Sequence, residues 1–74
     1  MGELSVLSAK GDTKLIWDAE NQEEVDNARE TFERLKKKGF AAFSVGKKGE
    51  QDTKISKFDP NLEKIIMVPP IAGG

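Results

Sequence analysis

The most regular hydrophobic pattern in the chain lies between residues 21 and 38, where apolar side chains recur every three or four positions. This spacing puts them on one face of an α-helix, and they are Val25, Ala28, Phe32 and Leu35. Asn21, followed three residues later by Glu24, is a typical capping pair at the start of a helix. Gly39 is a typical residue at the end of one. The pattern therefore predicts an amphipathic helix over residues 21–38.

Shorter apolar segments on both sides of the helix predict β-strands. Residues 3–9 and 13–17 flank the tight turn Lys10-Gly11-Asp12 and predict a β-hairpin. After the helix, residues 40–45, with the sequence FAAFSV, predict a third strand. The more polar residues 53–58 predict a weaker fourth strand. The chain thus has the order strand, strand, helix, strand, strand before its last apolar segment.

The last apolar segment, IIMV at residues 65–68, is continuous rather than alternating. A continuous run is typical of a strand that is covered on both faces. This strand is therefore predicted to lie in the middle of the sheet and to run parallel to the first strand. Pro69 and Pro70 end it, because proline cannot donate a hydrogen bond to a neighbouring strand.

These elements predict an α+β fold in which one helix packs on one face of a mixed sheet, the arrangement of the ubiquitin-like β-grasp. A different α+β sandwich with the same element order is the alternative. Strand alternation predicts that Ala41, Phe43 and Val45 face the helix. The predicted core combines the helix face with the strands after it, beside a partly buried Trp17. It consists of Val25, Phe32, Leu35, Phe43, Ile66 and Val68.

Composition restricts the chemistry that the chain can carry out. The 74 residues include no cysteine and no histidine, which excludes disulfides, cysteine zinc sites and the commonest general base at neutral pH. We therefore expect one small domain that is not an enzyme, holds no metal and needs no cofactor. The sequence shows no signal peptide and no apolar run long enough to span a bilayer. A cytoplasmic location is therefore expected, with no membrane partner.

Charge is unevenly distributed along the chain, although the net charge is only −1. Residues 1–33 carry nine acidic and three basic side chains, whereas residues 34–74 carry nine basic and four acidic ones. Part of this asymmetry follows the dipole of the predicted helix, and the rest can mark a surface for a partner. Because the whole chain is slightly acidic, its lysines favour a solvated surface, and no nucleic-acid partner is expected.

The end of the chain carries the clearest functional signal, Val68-Pro69-Pro70-Ile71-Ala72-Gly73-Gly74. It resembles the end of the small subunit of molybdopterin synthase, and is similar to the ends of related ubiquitin-like sulfur carriers and archaeal small modifier proteins. Members of this group finish with a hydrophobic strand, two prolines, small aliphatic residues and Gly-Gly. The resemblance implies a β-grasp domain over residues 1–68 and a flexible tail over residues 69–74.

The resemblance further implies that Gly73 and Gly74 are the reactive end of the chain. In such proteins an E1-like adenylating enzyme activates the carboxylate of the last glycine. The activated end then becomes a thiocarboxylate that passes sulfur to an acceptor enzyme, or it forms an isopeptide bond with a lysine of a target protein. Glycine lacks a Cβ and can enter a narrow site, and proline holds the chain extended. The residues expected to contact the partner are Pro69, Pro70, Ile71 and Ala72.

The same residues allow a simpler interpretation of the tail. The two glycines can be a frayed end, and the two prolines can do no more than stop a strand. The chain would then be a non-covalent protein-interaction module that binds through a sheet edge or a basic surface. The sequence leaves this alternative open, and it does not decide between sulfur transfer and conjugation.

Overall fold

One helix packs on one face of a five-stranded mixed sheet in the computed structural model, which describes residues 1–8, 11–45 and 53–70. The predicted α+β class is therefore confirmed. No helix in these ranges is long and apolar enough to cross a membrane. The elements in chain order are β1 (Gly2–Val6), β2 (Thr13–Trp17), α1 (Gln22–Lys37), β3 (Ala41–Ser44), β4 (Thr53–Ile55) and β5 (Lys64–Val68).

Strand β5 lies in the middle of the sheet, whose strand order is β2-β1-β5-β3-β4. It runs parallel to β1, with Ile66 opposite Ser5, and antiparallel to β3, with Ile66 opposite Phe43. The prediction of a central last strand parallel to the first is therefore confirmed. The predicted antiparallel pairing of β1 and β2 is confirmed as well. Strand β1 ends at Val6 rather than at residue 9, and Ala9 and Lys10 of the predicted strand and turn lie outside the described residues. Strand β4 is shorter than predicted, because residues 56–58 lie outside it.

Helix α1 begins at the predicted capping residue. The Asn21 side chain accepts a hydrogen bond from the backbone N–H of Glu24 at 3.3 Å. The Glu24 carboxylate accepts from the backbone N–H of Asp18 at 2.8 Å, rather than from Asn21 as a reciprocal capping box requires. The first turn is therefore capped by Asn21, and Glu24 ties it to the residue that follows β2.

The end of α1 also follows the prediction. Gly39 has a φ of +97°, in the left-handed region that favours glycine. Its N–H donates to the carbonyl of Lys36, and the N–H of Phe40 donates to the carbonyl of Leu35. These two bonds form a Schellman motif, which satisfies carbonyl groups that the helix leaves without partners.

The core lies between α1 and the inner face of the sheet, around Trp17 and Phe32. Trp17 is fully buried, and its indole N–H donates to the carbonyl of Pro60 at 3.0 Å. Phe58 packs edge-to-face against both rings, with centroid distances of 4.9 Å to Trp17 and 5.9 Å to Phe32. Gly2 lies against the Trp17 ring, where a Cβ would collide with it. The buried apolar residues are Leu4, Trp17, Val25, Ala28, Phe32, Ala42, Ile65 and Met67.

The predicted core is right for the helix and wrong for the strands. Burial is confirmed for Val25, Phe32 and Trp17, and Leu35 is partly buried against the core. The prediction fails for three strand residues, which lie half-buried on the outer face of the sheet. They are Phe43, Ile66 and Val68.

The error on β3 and β5 comes from the choice of face, not from the strand pattern. Ala42 pairs with Met67, and both are buried on the inner face. Because side chains alternate along a strand, Ala41 and Val45 share the outer face with Phe43, contrary to the prediction that these three residues face the helix. Trp17 and Phe32 are the largest fully buried side chains, so the small side chain of Ala42 suffices on the inner face of β3.

Candidate functional site

The predicted tail leaves the domain beside the C-terminal end of α1. Directly after β5, Pro69 is half-buried and Pro70 is exposed. A Cβ on Gly39 would lie 3.4 Å from the Cβ and Cγ atoms of Pro70, so the proline ring rests near the glycine that ends the helix. The structure thus brings Pro69 and Pro70 to this exit point. The other predicted site residues lie outside the described residues, and they are Ile71, Ala72, Gly73 and Gly74.

The exit point lies next to a group of positive charges. The last turn of α1 carries Arg34, Lys36 and Lys37, and Lys38 is the C-cap. Cations at this end interact favourably with the helix dipole, which accounts for them without any ligand. They also give the surface near Pro70 a positive potential that favours an acidic partner.

An apolar patch covers part of the sheet face that α1 leaves open. This outer patch consists of Ala41, Phe43, Ile66 and Val68 on the adjacent strands β3 and β5. Phe43 lies opposite Ile66, and Ala41 lies opposite Val68. All four side chains are half-buried and lie outside the core cluster. The outer patch extends along β5 as far as Val68, the residue before the proline pair, so it adjoins the start of the tail.

Polar and charged side chains border the outer patch on β1 and β5. The Ser5 hydroxyl donates to the Glu3 carboxylate at 3.0 Å, and the Lys64 ammonium lies 3.6 Å from that carboxylate. The hydrogen bond from Ser5 lowers the pKa of Glu3. Lys64 and Lys14 act in the same direction, and partial desolvation opposes them. An apolar centre with a polar border is the composition of a protein–protein interface.

Sequence reasoning missed the outer patch, although the sequence contains a signal for it. The run at residues 65–68 is apolar on both faces of its strand, but α1 covers only the face of Ile65 and Met67. The other half of the run, Ile66 and Val68, is left for a contact outside the core. A continuous apolar strand in a sheet with a single helix therefore predicts an apolar surface on the outer face as well as a core.

Comparisons with models of protein families, with curated proteins and with solved structures found no match. Across residues 1–8, 11–45 and 53–70, no group of three or more acidic side chains is arranged to hold a metal ion. The function is therefore inferred from the fold, the outer patch and the sequence of the tail.

Proposed function

We propose that this chain is a ubiquitin-like β-grasp protein that an adenylating enzyme activates at the carboxylate of Gly74. The observation that carries the proposal is the path of β5. This central strand, parallel to β1, leads through Pro69 and Pro70 into the sequence Ile71-Ala72-Gly73-Gly74. Because a central strand is held by neighbours on both sides, it gives the tail a fixed origin. The proline pair favours an extended chain beyond that origin.

The proposed chemistry takes place on the partner enzyme. A Gly74 carboxylate oxygen attacks the α-phosphorus of ATP, pyrophosphate leaves, and an acyl-adenylate forms. A hydrosulfide ion or a lysine amine then attacks the acyl carbon, AMP leaves with release of a proton, and a thiocarboxylate or an isopeptide bond results. In this role the chain supplies a carboxylate and a docking surface and is not itself an enzyme.

The outer patch is the proposed docking surface for the adenylating enzyme. Specific interfaces have an apolar centre from which charged residues are depleted, surrounded by a polar rim. The outer patch has this composition, with Phe43 and Ile66 as its largest side chains and the ion pair of Glu3 and Lys64 at its border. Because the patch and the tail share β5, docking there orients the start of the tail toward the enzyme.

Replacing Phe43 with threonine is expected to weaken docking without stopping the chemistry. Threonine is β-branched and therefore suits a strand, but it removes the aromatic contact. We expect the KM for this chain in ATP–pyrophosphate exchange to rise by about tenfold, the loss typical of one anchoring residue, while kcat changes little. Asn27→Thr is the control, since Asn27 is exposed on α1, which covers the opposite face of the sheet. Equal KM values for the two variants would exclude the outer patch as the docking surface.

Intact-mass analysis of the chain purified from its native host tests the proposal directly. A thiocarboxylate changes the mass by the exchange of one oxygen for one sulfur, and a conjugate appears as a larger species joined through a lysine. The same spectrum reports whether Gly74 carries the free carboxylate in the cell. A chain that is neither modified in the host nor adenylated by any host enzyme would contradict the proposal.

The second candidate function is a non-covalent interaction module, and the outer patch favours it too. An apolar surface on one face of the sheet can bind a partner without any reaction at the tail. The two functions differ in their need for ATP. If partners bind the outer patch equally well with and without residues 71–74, and no exchange activity is found, the chain is a module of this second kind.

A further inference from the structure

A groove lies on the helix side of the molecule, away from the outer patch. It has a volume of about 470 Å³ and runs between the second half of α1 and the segment that follows β4. Phe32 and Phe58 contribute their rings to it, packed edge-to-face at 5.9 Å, and the guanidinium carbon of Arg29 lies 5.9 Å from the centre of the Phe58 ring. This helix groove thus has an aromatic floor and a volume within the range of ligand-binding sites.

The rim of the helix groove is positively charged. Lys36 and Lys37 border it on α1 and Lys57 borders it on the opposite side, whereas Glu33 is the one carboxylate among the described residues that line it. None of these three lysines has an ion-pair partner among the residues that the structure describes. Among the described residues that line the groove, these three lysines outnumber the single carboxylate of Glu33, so the rim has a net positive charge. A partner with carboxylates is the complement of this rim.

The edge of the sheet adjoins the helix groove. Among residues 1–8, 11–45 and 53–70, strand β4 is the outermost strand and pairs only with β3. It is followed at once by Ser56 and Lys57, which line the groove. An edge strand presents main-chain donors and acceptors to which an extended peptide can add. A peptide bound there can place its side chains in the groove.

We propose that the helix groove binds an extended acidic peptide segment, in which an apolar side chain contacts the aromatic floor and flanking carboxylates contact the lysines. A small anion is less suited, because the lysines lie on an open rim and do not form a defined set of hydrogen-bond donors around one ion. A nucleic-acid strand is less suited because its affinity comes from many phosphate contacts along the backbone, whereas the described rim offers three lysines, and Arg29 is paired with Asp26. This binding does not depend on the chemistry proposed for Gly74.

The test uses the full chain and a degenerate pool of fluorescent peptides. Each peptide has an apolar residue at its centre and Glu or Asp on both sides, and a matched pool carries Gln and Asn instead. The groove variant Lys57→Glu is compared with the control Lys14→Glu, which makes the same change in net charge on β2, at the opposite edge of the sheet. Fluorescence anisotropy gives the affinity of each peptide. The site is then located from the NMR chemical shifts of the chain's backbone amides that change when the tightest-binding peptide is added.

We expect the acidic pool to bind the native chain at least about tenfold more tightly than the neutral pool. The affinity of the groove variant should fall by about tenfold or more. The affinity of the control variant should fall by less than about threefold, because salt screens charges that lie more than roughly 10 Å from the bound peptide. Amide shifts should change at Ser56, Lys57 and Phe58. Equal losses in both variants, or shifts confined to another surface, would overturn the proposal. So would tighter binding of a single-stranded oligonucleotide, or no peptide binding at all.

Discussion

A chain without Gly73 and Gly74 is expected to support no ATP–pyrophosphate exchange with the host's adenylating enzyme, although its domain remains folded. An extended residue spans about 3.3–3.6 Å, so the new terminal carboxylate would fall roughly 7 Å short of the reacting phosphorus. A misplacement of about 1 Å can already cost about 10²-fold in rate. We therefore expect exchange to fall to background. The thermal midpoint should stay within about 2 °C of the native value, as for a change outside the core.

Two further variants distinguish the effect of the carboxylate's position on exchange from the effect of the tail's composition. Gly74→Ala keeps the chain length and adds one methyl group beside the reacting carbon, so we expect a partial loss of exchange. One additional residue after Gly74 displaces the carboxylate by about 3.5 Å and should abolish exchange as the deletion does. If the deleted chain is activated at the native rate, the tail is not the reacting element. A lost activity together with a lowered thermal midpoint would instead trace the defect to folding.

The order of elements and the position of β5 could be predicted because they depend on local signals. The Asn21 cap, the apolar face of α1 and the stop at Gly39 each act within a few residues, and all three agree on the same helix. One helix then has to cover a sheet formed by the remaining strands. The continuous run at residues 65–68 is the pattern of a central strand, which the pairing with β1 and β3 confirms.

The face of β3 could not be predicted from its alternation, because FAAFSV carries apolar side chains on both faces. One face carries Phe40 and Ala42, and the other carries Ala41, Phe43 and Val45. The larger apolar content of the second face indicates a buried side only if no other residues fill the core. The Trp17 ring, which is fully buried, comes from a different strand, and no short-range pattern relates its position to β3.

The candidate sites depend on contacts between residues that are distant in the sequence. Pro70 meets Gly39 only after the sheet and the helix have packed. The helix groove exists because Phe58 lies in the segment after β4 and contacts both Trp17 and Phe32, whereas the sequence predicts residue 58 at the end of a strand. The sequence alone thus indicates the chemical motif of the tail. The outer patch and the helix groove become visible only in the folded structure.

Phe32→Ala is expected to destabilise the domain far more than the same substitution at Phe43, although the sequence places both residues in the core. Phe32 is 1% exposed and packs against Phe58, so its removal leaves a cavity and should cost about 3–5 kcal/mol. Phe43 is half-buried on the outer face, and its truncation should cost about 1–2 kcal/mol. Urea unfolding of both variants measures the difference, and Phe32→Leu provides an intermediate if the alanine variant does not fold. Because small domains have only about 5–15 kcal/mol of stability, the contrast is large, and equal costs would show that β3 presents Phe43 to the core after all.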